Sequence, residues 1–198
     1  MNKSQAVIIL SILIIVTVGA AVFLFLSLSS NLEEMQINDP RNDVLLSFGS
    51  SYSKAVDITG ASLETSHDLA NLTIRTNEQN INIDERETII WEVILILENQ
   101  TDVVKTYDLQ TTLNSTGLFC SAQDVEDGTT KNCNITLQQN KLLISMTFNG
   151  LLEFEQVEWN VISSFEENRG GELVANAFDF APDEGTHLTI VQSQTEVP

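Results

Sequence analysis

The sequence predicts a mostly β protein in which an N-terminal transmembrane α-helix is followed by an antiparallel β-sandwich. Two observations support this prediction. One long apolar run near the start carries no charge, and beyond residue 40 the apolar residues recur at every second position, as they do in strands. Because these short segments alternate with polar turns and no amphipathic helix intervenes, they favour two stacked sheets.

The apolar run at residues 6–28 has the sequence AVIILSILIIVTVGAAVFLFLSL. As a helix it would extend about 34 Å, which is enough to cross a hydrocarbon core of about 30 Å. Lys3 precedes the run, whereas only acidic charges follow it before position 40. Since positive charge is retained on the cytoplasmic side, this asymmetry predicts that the rest of the chain lies outside the cell.

A cleavable secretory signal is the alternative interpretation of this run. Ser27 and Ser29 offer a small-residue cleavage site. Secretory signals have apolar cores of only about 7–15 residues, so the length of the run favours a retained anchor.

Small residues cluster in the middle of the run, at Thr17, Gly19, Ala20 and Ala21. Small side chains let transmembrane helices approach each other closely, and Thr17 and Ala21 have the favourable spacing of four. The cluster indicates either a helix-packing surface in an assembly or an ordinary spanning helix.

The remaining chain predicts one folded domain. Asp39-Pro40 should end the helix, because a residue before proline avoids the helical region. The predicted organisation is a short leader at 1–4, the helix at 5–37, the sandwich at 41–194 and a polar tail at 195–198.

The strand predictions rest on alternation and on turn residues. Residues 88–98, TIIWEVILILE, are almost all apolar and predict a central strand covered on both faces. Asn149-Gly150 predicts a hairpin, Gly170-Gly171 a second turn, and a change of phase near Glu155 and Gln156 a β-bulge. Further strands are predicted at residues 44–48, 69–76, 103–109, 133–137, 142–148, 157–161, 173–178 and 187–192.

The chain is strongly acidic. It has 9 Lys and Arg against 28 Asp and Glu, a formal net charge of −19. Such a surface repels phosphates, so no nucleic-acid partner is expected. The charge indicates either an ordinary solvated surface or adaptation to high salt.

Cys120 and Cys133 are the only cysteines. In an oxidising, exported environment they can form a disulfide, and closing a loop of this size would stabilise the domain by roughly 3 kcal/mol. The alternative is two unpaired thiols in the core.

Few residues offer catalytic chemistry. His67 and His187 are the only imidazoles, and neither stands at metal-ligand spacing. No nucleophile-elbow, zinc-protease or P-loop pattern occurs, so we expect no enzyme activity, no cofactor and no metal. Two acidic groups are weak calcium candidates, more simply explained as solvated loops: Asp124, Glu126 and Asp127, and Asp179, Asp183 and Glu184.

In the predicted outer domain, N-x-S/T sequons begin at Asn71, Asn99, Asn114 and Asn134. On an exported protein these asparagines are candidate glycan acceptors. A composition this rich in Asn, Ser and Thr produces about three sequons by chance, so the sequons alone add little.

The start MNKSQAVIIL is a short basic leader that runs directly into an apolar helix. It resembles the class III signal of archaeal type IV pilin-like proteins, in which a prepilin peptidase cuts between leader and helix. The matching cut would fall between Ser4 and Gln5, with Lys3 at the charged position. Ser4 stands where Gly or Ala is usual, and Ile9 where many pilins carry Glu.

Residues 91–109, WEVILILENQTDVVKTYDL, resemble the strand–turn–strand of immunoglobulin-like modules in archaeal surface proteins. One N-terminal helix joined to such a domain also resembles the accessory stator proteins of the archaellum. The resemblance implies an immunoglobulin-like antiparallel β-sandwich at the cell surface.

These features predict a non-catalytic cell-surface structural protein, a pilin-like subunit of an archaeal filament with its hydrophobic N-terminal helix in the filament core. The alternative is a membrane-anchored binding module, an archaellum stator or a cell-envelope contact, that does not polymerise. Expected partners are membrane lipid and either copies of the chain, associated through the helix, or a cell-envelope protein. The expected location is the cell membrane with the C-terminal domain outside, or an extracellular filament.

Overall fold

The structure is a computed structural model that describes residues 36–66, 69–99, 104–148, 154, 156–182 and 187–190. The chain divides into two compact units, residues 1–35 and 36–198, and every described residue belongs to the second. The described residues contain no candidate membrane-spanning helix. The predicted spanning segment lies outside them, with Thr17, Gly19, Ala20 and Ala21 and the Ser4–Gln5 junction.

The described residues form thirteen strands. In chain order they are β1 Gln36–Asn38, β2 Leu45–Phe48, β3 Ile58–Ser66, β4 Leu69–Thr76, β5 Glu87–Glu98, β6 Val104–Asn114, β7 Gly117–Asp124, β8 Thr130–Lys131, β9 Cys133–Gln138, β10 Lys141–Thr147, β11 Gln156–Arg169, β12 Glu172–Ala181 and β13 His187–Ile190.

The strands build two antiparallel sheets. Sheet A has the order β1-β3-β4-β10-β9, and sheet B has the order β2-β12-β11-β5-β6-β7-β8, with β13 also paired to β11. The inward side chains of both sheets form one hydrophobic core. The predicted mostly β architecture of two antiparallel sheets is therefore confirmed.

The core is made by alternate residues of the central strands. Trp91 on β5 and Trp159 on β11 are both fully buried. The outward residues of β5, among them Ile90, Ile94 and Ile96, are only half-buried. The predicted central strand is therefore confirmed, since β5 lies between β11 and β6, but its outward residues are less completely covered than its inward ones.

The predicted hairpin at Asn149-Gly150 is also wrong as a pairing of its flanking strands. β10 pairs with β4 and β9 in sheet A, whereas β11 pairs with β5, β12 and β13 in sheet B. Both edges of β10 are occupied, so β11 cannot pair with it, and β11 lies in sheet B. Asn149 and Gly150 themselves lie outside the described residues, as does Glu155 of the predicted bulge.

One predicted turn and the predicted start of the sandwich can be compared with the structure. Gly170-Gly171 forms the predicted turn between β11 and β12, with φ of 62° and 88° that both glycines adopt without strain. At the other end, the sandwich starts at Gln36 rather than at residue 41. Ile37 is 3% exposed and pairs with Ala61, so residues 36 and 37 belong to sheet A and not to the predicted helix.

The two edges of the sandwich are closed by different bonds. At one edge Cys120 of β7 in sheet B is joined to Cys133 of β9 in sheet A, with a Cα–Cα distance of 5.9 Å, as the predicted disulfide. At the opposite edge the backbone N of Ile58 on β3 donates a hydrogen bond to Oδ2 of Asp179 on β12, at 2.6 Å. At this second edge, a carboxylate therefore joins sheet A to sheet B.

Candidate metal centre

Three aspartates meet at the edge formed by β3 and β12. Asp39, Asp43 and Asp179, here called the aspartate cluster, each place a carboxylate oxygen within 4.8 Å of the others. Asp39 and Asp43 are half-buried, and Asp179 is 2% exposed. A calcium ion with ligands at about 2.4 Å separates its ligand oxygens by at most about 4.8 Å, so this spacing suits one shared cation.

The chain path explains how these distant residues meet. β1 lies in sheet A and β2 lies in sheet B, so residues 39–44, the crossing segment, pass from one sheet to the other. Asp39 and Asp43 are on this segment. Asp179 is on β12, which pairs with β2. Its side chain lies on the buried face of β12, together with those of Ala177 and Ala181.

A fourth aspartate, Asp57, adjoins the aspartate cluster. It precedes β3 and is fully buried. Its Oδ2 accepts hydrogen bonds from the backbone N of Asn42 at 2.9 Å and from Nδ2 of Asn77 at 2.8 Å. Because Asn42 directly precedes Asp43, the Asp57 carboxylate faces the crossing segment. Its Oδ1 is shielded from solvent and accepts no hydrogen bond from the described residues.

The carboxylates of the aspartate cluster are close enough to repel one another. Two like unit charges 4.8 Å apart repel by about 3.5 kcal/mol at an effective dielectric constant of about 20. Burial raises the pKa of Asp179 to about 6, and the charges of Asp43 and Asp57 act in the same direction, against the lowering effect of the Ile58 hydrogen bond. Deprotonation of Asp179 above this pKa adds a negative charge to the aspartate cluster, and a bound cation would offset that charge.

The acidic loop between β7 and β8 uses its carboxylates on its own backbone. Asp124 Oδ1 accepts hydrogen bonds from the backbone N of Glu126 and of Asp127, at 3.1 and 3.4 Å. Glu126 Oε1 accepts one from the backbone N of Thr106 at 3.0 Å, and Asp127 Oδ1 one from that of Thr129 at 2.8 Å. Hydrogen bonds from Thr129 lower the pKa of Asp127. Asp124 and Asp127 therefore stabilise the turn, and Glu126 ties the turn to β6.

Sequence reasoning named Asp179 but not the aspartates that the structure places beside it. It grouped Asp179 with Asp183 and Glu184, which lie outside the described residues, as does His67. The partners that the fold supplies stand at the other end of the domain. Their one sequence signal is the pair of aspartates in NDPRND, residues 38–43, which local reasoning treated as the end of a helix.

The sequon asparagines occupy different environments. Asn71 on β4 and Asn134 on β9 both pair with Ser145 of β10, and Ser145 Oγ donates a hydrogen bond to Asn71 Oδ1 at 2.9 Å. These three residues line a shallow depression of about 310 Å³ on sheet A. Asn71 is half-buried, whereas Asn134 is exposed and so presents its amide to solvent.

The other two sequons lie at strand ends. Asn114 ends β6, and its Oδ1 accepts hydrogen bonds from the backbone N and the Oγ1 of Thr116, at 2.8 and 2.6 Å. Asn99 follows β5, and the rest of its sequon lies outside the described residues. Asn114 is thus the sequon that occupies a tight turn.

No protein-family model matches the chain, and no curated protein matches it either. The functional argument therefore rests on the residues and the fold of the chain itself.

Proposed function

We propose that this protein is a non-catalytic cell-surface structural protein, a pilin-like subunit of an archaeal filament. Residues 6–28 would form the filament core as a helix, and the sandwich would face solvent. The observation that carries the proposal is the combination of this uncharged segment with a disulfide-closed β domain. Because disulfides persist in oxidising compartments, the Cys120–Cys133 bond supports an exported domain.

The strand order supports an immunoglobulin-like sandwich within this proposal. In sheet A, β3, β4, β10 and β9 follow the order A-B-E-D of immunoglobulin strands. In sheet B, β12, β11, β5, β6 and β7 follow the order G-F-C-C′-C″ of variable-type domains. Trp91 on β5 takes the place of the buried tryptophan on strand C. The disulfide differs, because it joins β7 to β9 instead of strands B and F.

An exposed apolar surface supports contact between subunits. Leu45, Phe48 and Phe180 are 62%, 41% and 38% exposed. Leu45 pairs with Phe178, and Phe48 pairs with Asn176, which places these side chains on the outer face of sheet B. We name Leu45, Phe48, Phe178 and Phe180 the β2 patch. Clustered exposed apolar side chains mark interaction sites, and a second copy of the chain is the occupant that the filament proposal requires.

Filaments sheared from native cells test the proposal. Mass spectrometry should find this chain in the filaments, with Gln5 as its first residue. Recovery only from membranes, with an intact Met1, would contradict the filament and support the alternative, an anchored binding module that contacts an archaellum or cell-envelope protein.

Paired variants test the proposed contact. Leu45→Glu with Phe48→Glu should block incorporation into filaments, because charge would enter an apolar contact. The matched control is Phe119→Glu with Val125→Glu, which are 50% and 57% exposed near the opposite edge of sheet B. The control should incorporate normally. Equal incorporation of both pairs would rule out the β2 patch as the contact.

A further inference from the structure

We propose that Asp39, Asp43 and Asp179, with Asp57 beside them, bind one calcium ion that ties the crossing segment to the sandwich. The three carboxylates supply only oxygen ligands, and one oxygen of each lies within 4.8 Å of the others. Calcium takes 6–8 oxygen ligands at about 2.3–2.6 Å, so the aspartate cluster would provide part of the shell and backbone carbonyls or water the remainder.

The buried oxygen of Asp57 is the independent observation that points to a ligand. Asp57 is 0% exposed, and its Oδ1 accepts no hydrogen bond from the described residues. Buried polar atoms are nearly always satisfied, so such an oxygen calls for an explanation. The Asn42 bond to its Oδ2 turns this carboxylate toward the crossing segment, where a bound cation would offset its charge.

The ligand chemistry favours calcium over other divalent ions. Zinc prefers Cys and His, and the aspartate cluster offers carboxylates alone. Magnesium requires near-ideal octahedral geometry at about 2.0–2.1 Å, whereas calcium accepts irregular shells. Two of the three carboxylates come from the crossing segment and one from a strand, and the flexible coordination of calcium can accommodate ligands from separate elements.

The location gives the ion a structural role. The aspartate cluster spans sheets A and B at the edge opposite the disulfide. A cation there would hold this edge as the disulfide holds the other. This role does not require filament assembly, so the two proposals can fail separately.

Calcium titration of the full chain in detergent tests the proposal. Calcium at about a hundred times its Kd should raise the Tm of the metal-depleted protein by about 5–10 °C. Sodium chloride at the same ionic strength should give a much smaller shift, and so should magnesium. No calorimetric binding of calcium, an equal shift with sodium chloride, or an equal response to magnesium would overturn the proposal.

Charge-matched variants locate the ion. Asp43→Asn and Asp179→Asn should each weaken calcium binding at least about tenfold, because each removes a ligand charge. Asn at position 179 still offers an oxygen to the Ile58 amide, so that variant keeps the hydrogen bond between β3 and β12. Asp127→Asn, which removes the same charge from the β7–β8 loop, should bind like the wild type. An equal loss in Asp127→Asn would show general charge screening and overturn the site.

Discussion

The Cys120–Cys133 disulfide should contribute about 3 kcal/mol to the free energy of unfolding. The bond closes a loop with a sequence separation of 13. In the chain-entropy treatment such a loop removes about 9.8 cal/mol/K from the unfolded ensemble, or about 2.9 kcal/mol at 25 °C. Each kcal/mol shifts the Tm of a domain of this size by about 2–4 °C, so Cys120→Ser with Cys133→Ser should lower Tm by about 6–12 °C.

Thermal unfolding followed by circular dichroism measures this change in the full chain. Both cysteines are half-buried, so serine removes little packing besides the covalent bond. A reductant should lower the Tm of the wild type to that of the double variant and leave the variant unchanged. The reasoning is refuted if the variant loses less than about 2 °C, or if the reductant destabilises both proteins equally.

Three further predictions concern the described core and edges. Gly49→Ala should lower the free energy of unfolding, measured in urea, by about 2–4 kcal/mol, because φ of Gly49 is +96° and the added Cβ would lie 2.6 Å from Ala175 Cβ. The control Gly170→Ala has φ +62° and open space around the added Cβ, so it should lower this free energy by only about 1–2 kcal/mol. Equal losses in the two variants would contradict the steric argument. Thr111→Val should stabilise the domain by about 1 kcal/mol, because the buried hydroxyl of Thr111 has no hydrogen-bond partner among the described residues. A lower free energy of unfolding for the variant in urea would contradict this prediction. The pKa of Asp179 is raised to about 6 in the folded protein, so the carboxyl favours folding below about pH 4 and this contribution is lost as pH rises through 6. The Tm of the metal-depleted protein should therefore decline between about pH 4 and 6 more steeply than the Tm of Asp179→Asn. Parallel pH profiles of the two proteins would contradict this prediction.

Local sequence patterns predicted nine of the thirteen strands that the described residues form, and one of the turns. β1, β3, β7 and β8 were not predicted. In β10, the apolar positions Leu142, Ile144 and Met146 recur with the period of a half-buried strand, and all three are buried. Gly170-Gly171 provides positive φ in a two-residue connection, and β11 and β12 do pair across it. These features depend on a few neighbouring residues, so no knowledge of distant partners was needed.

Pairing between strands required the whole fold. Asn149-Gly150 has the composition of a hairpin turn, yet β10 and β11 do not pair, because β4 and β9 already occupy both edges of β10. β11 instead pairs with β5 in sheet B. Local turn chemistry records which conformations a dipeptide tolerates, but not which strand edges are still open. The partial burial of the outward residues of β5 has a similar cause, since an apolar sequence does not reveal how completely another layer covers that face.

The sequence by itself determined the acidic surface, the period of the strands, the two cysteines and the uncharged run at residues 6–28. Only the tertiary structure decided that Asp39, Asp43 and Asp179 share one site. Asp39 and Asp43 enter on the crossing segment, and Asp179 arrives on β12 at the far end of the chain. Carboxylates repel one another and carry no periodic signal, so the stacking of two sheets, driven by the apolar core, is what brings them together.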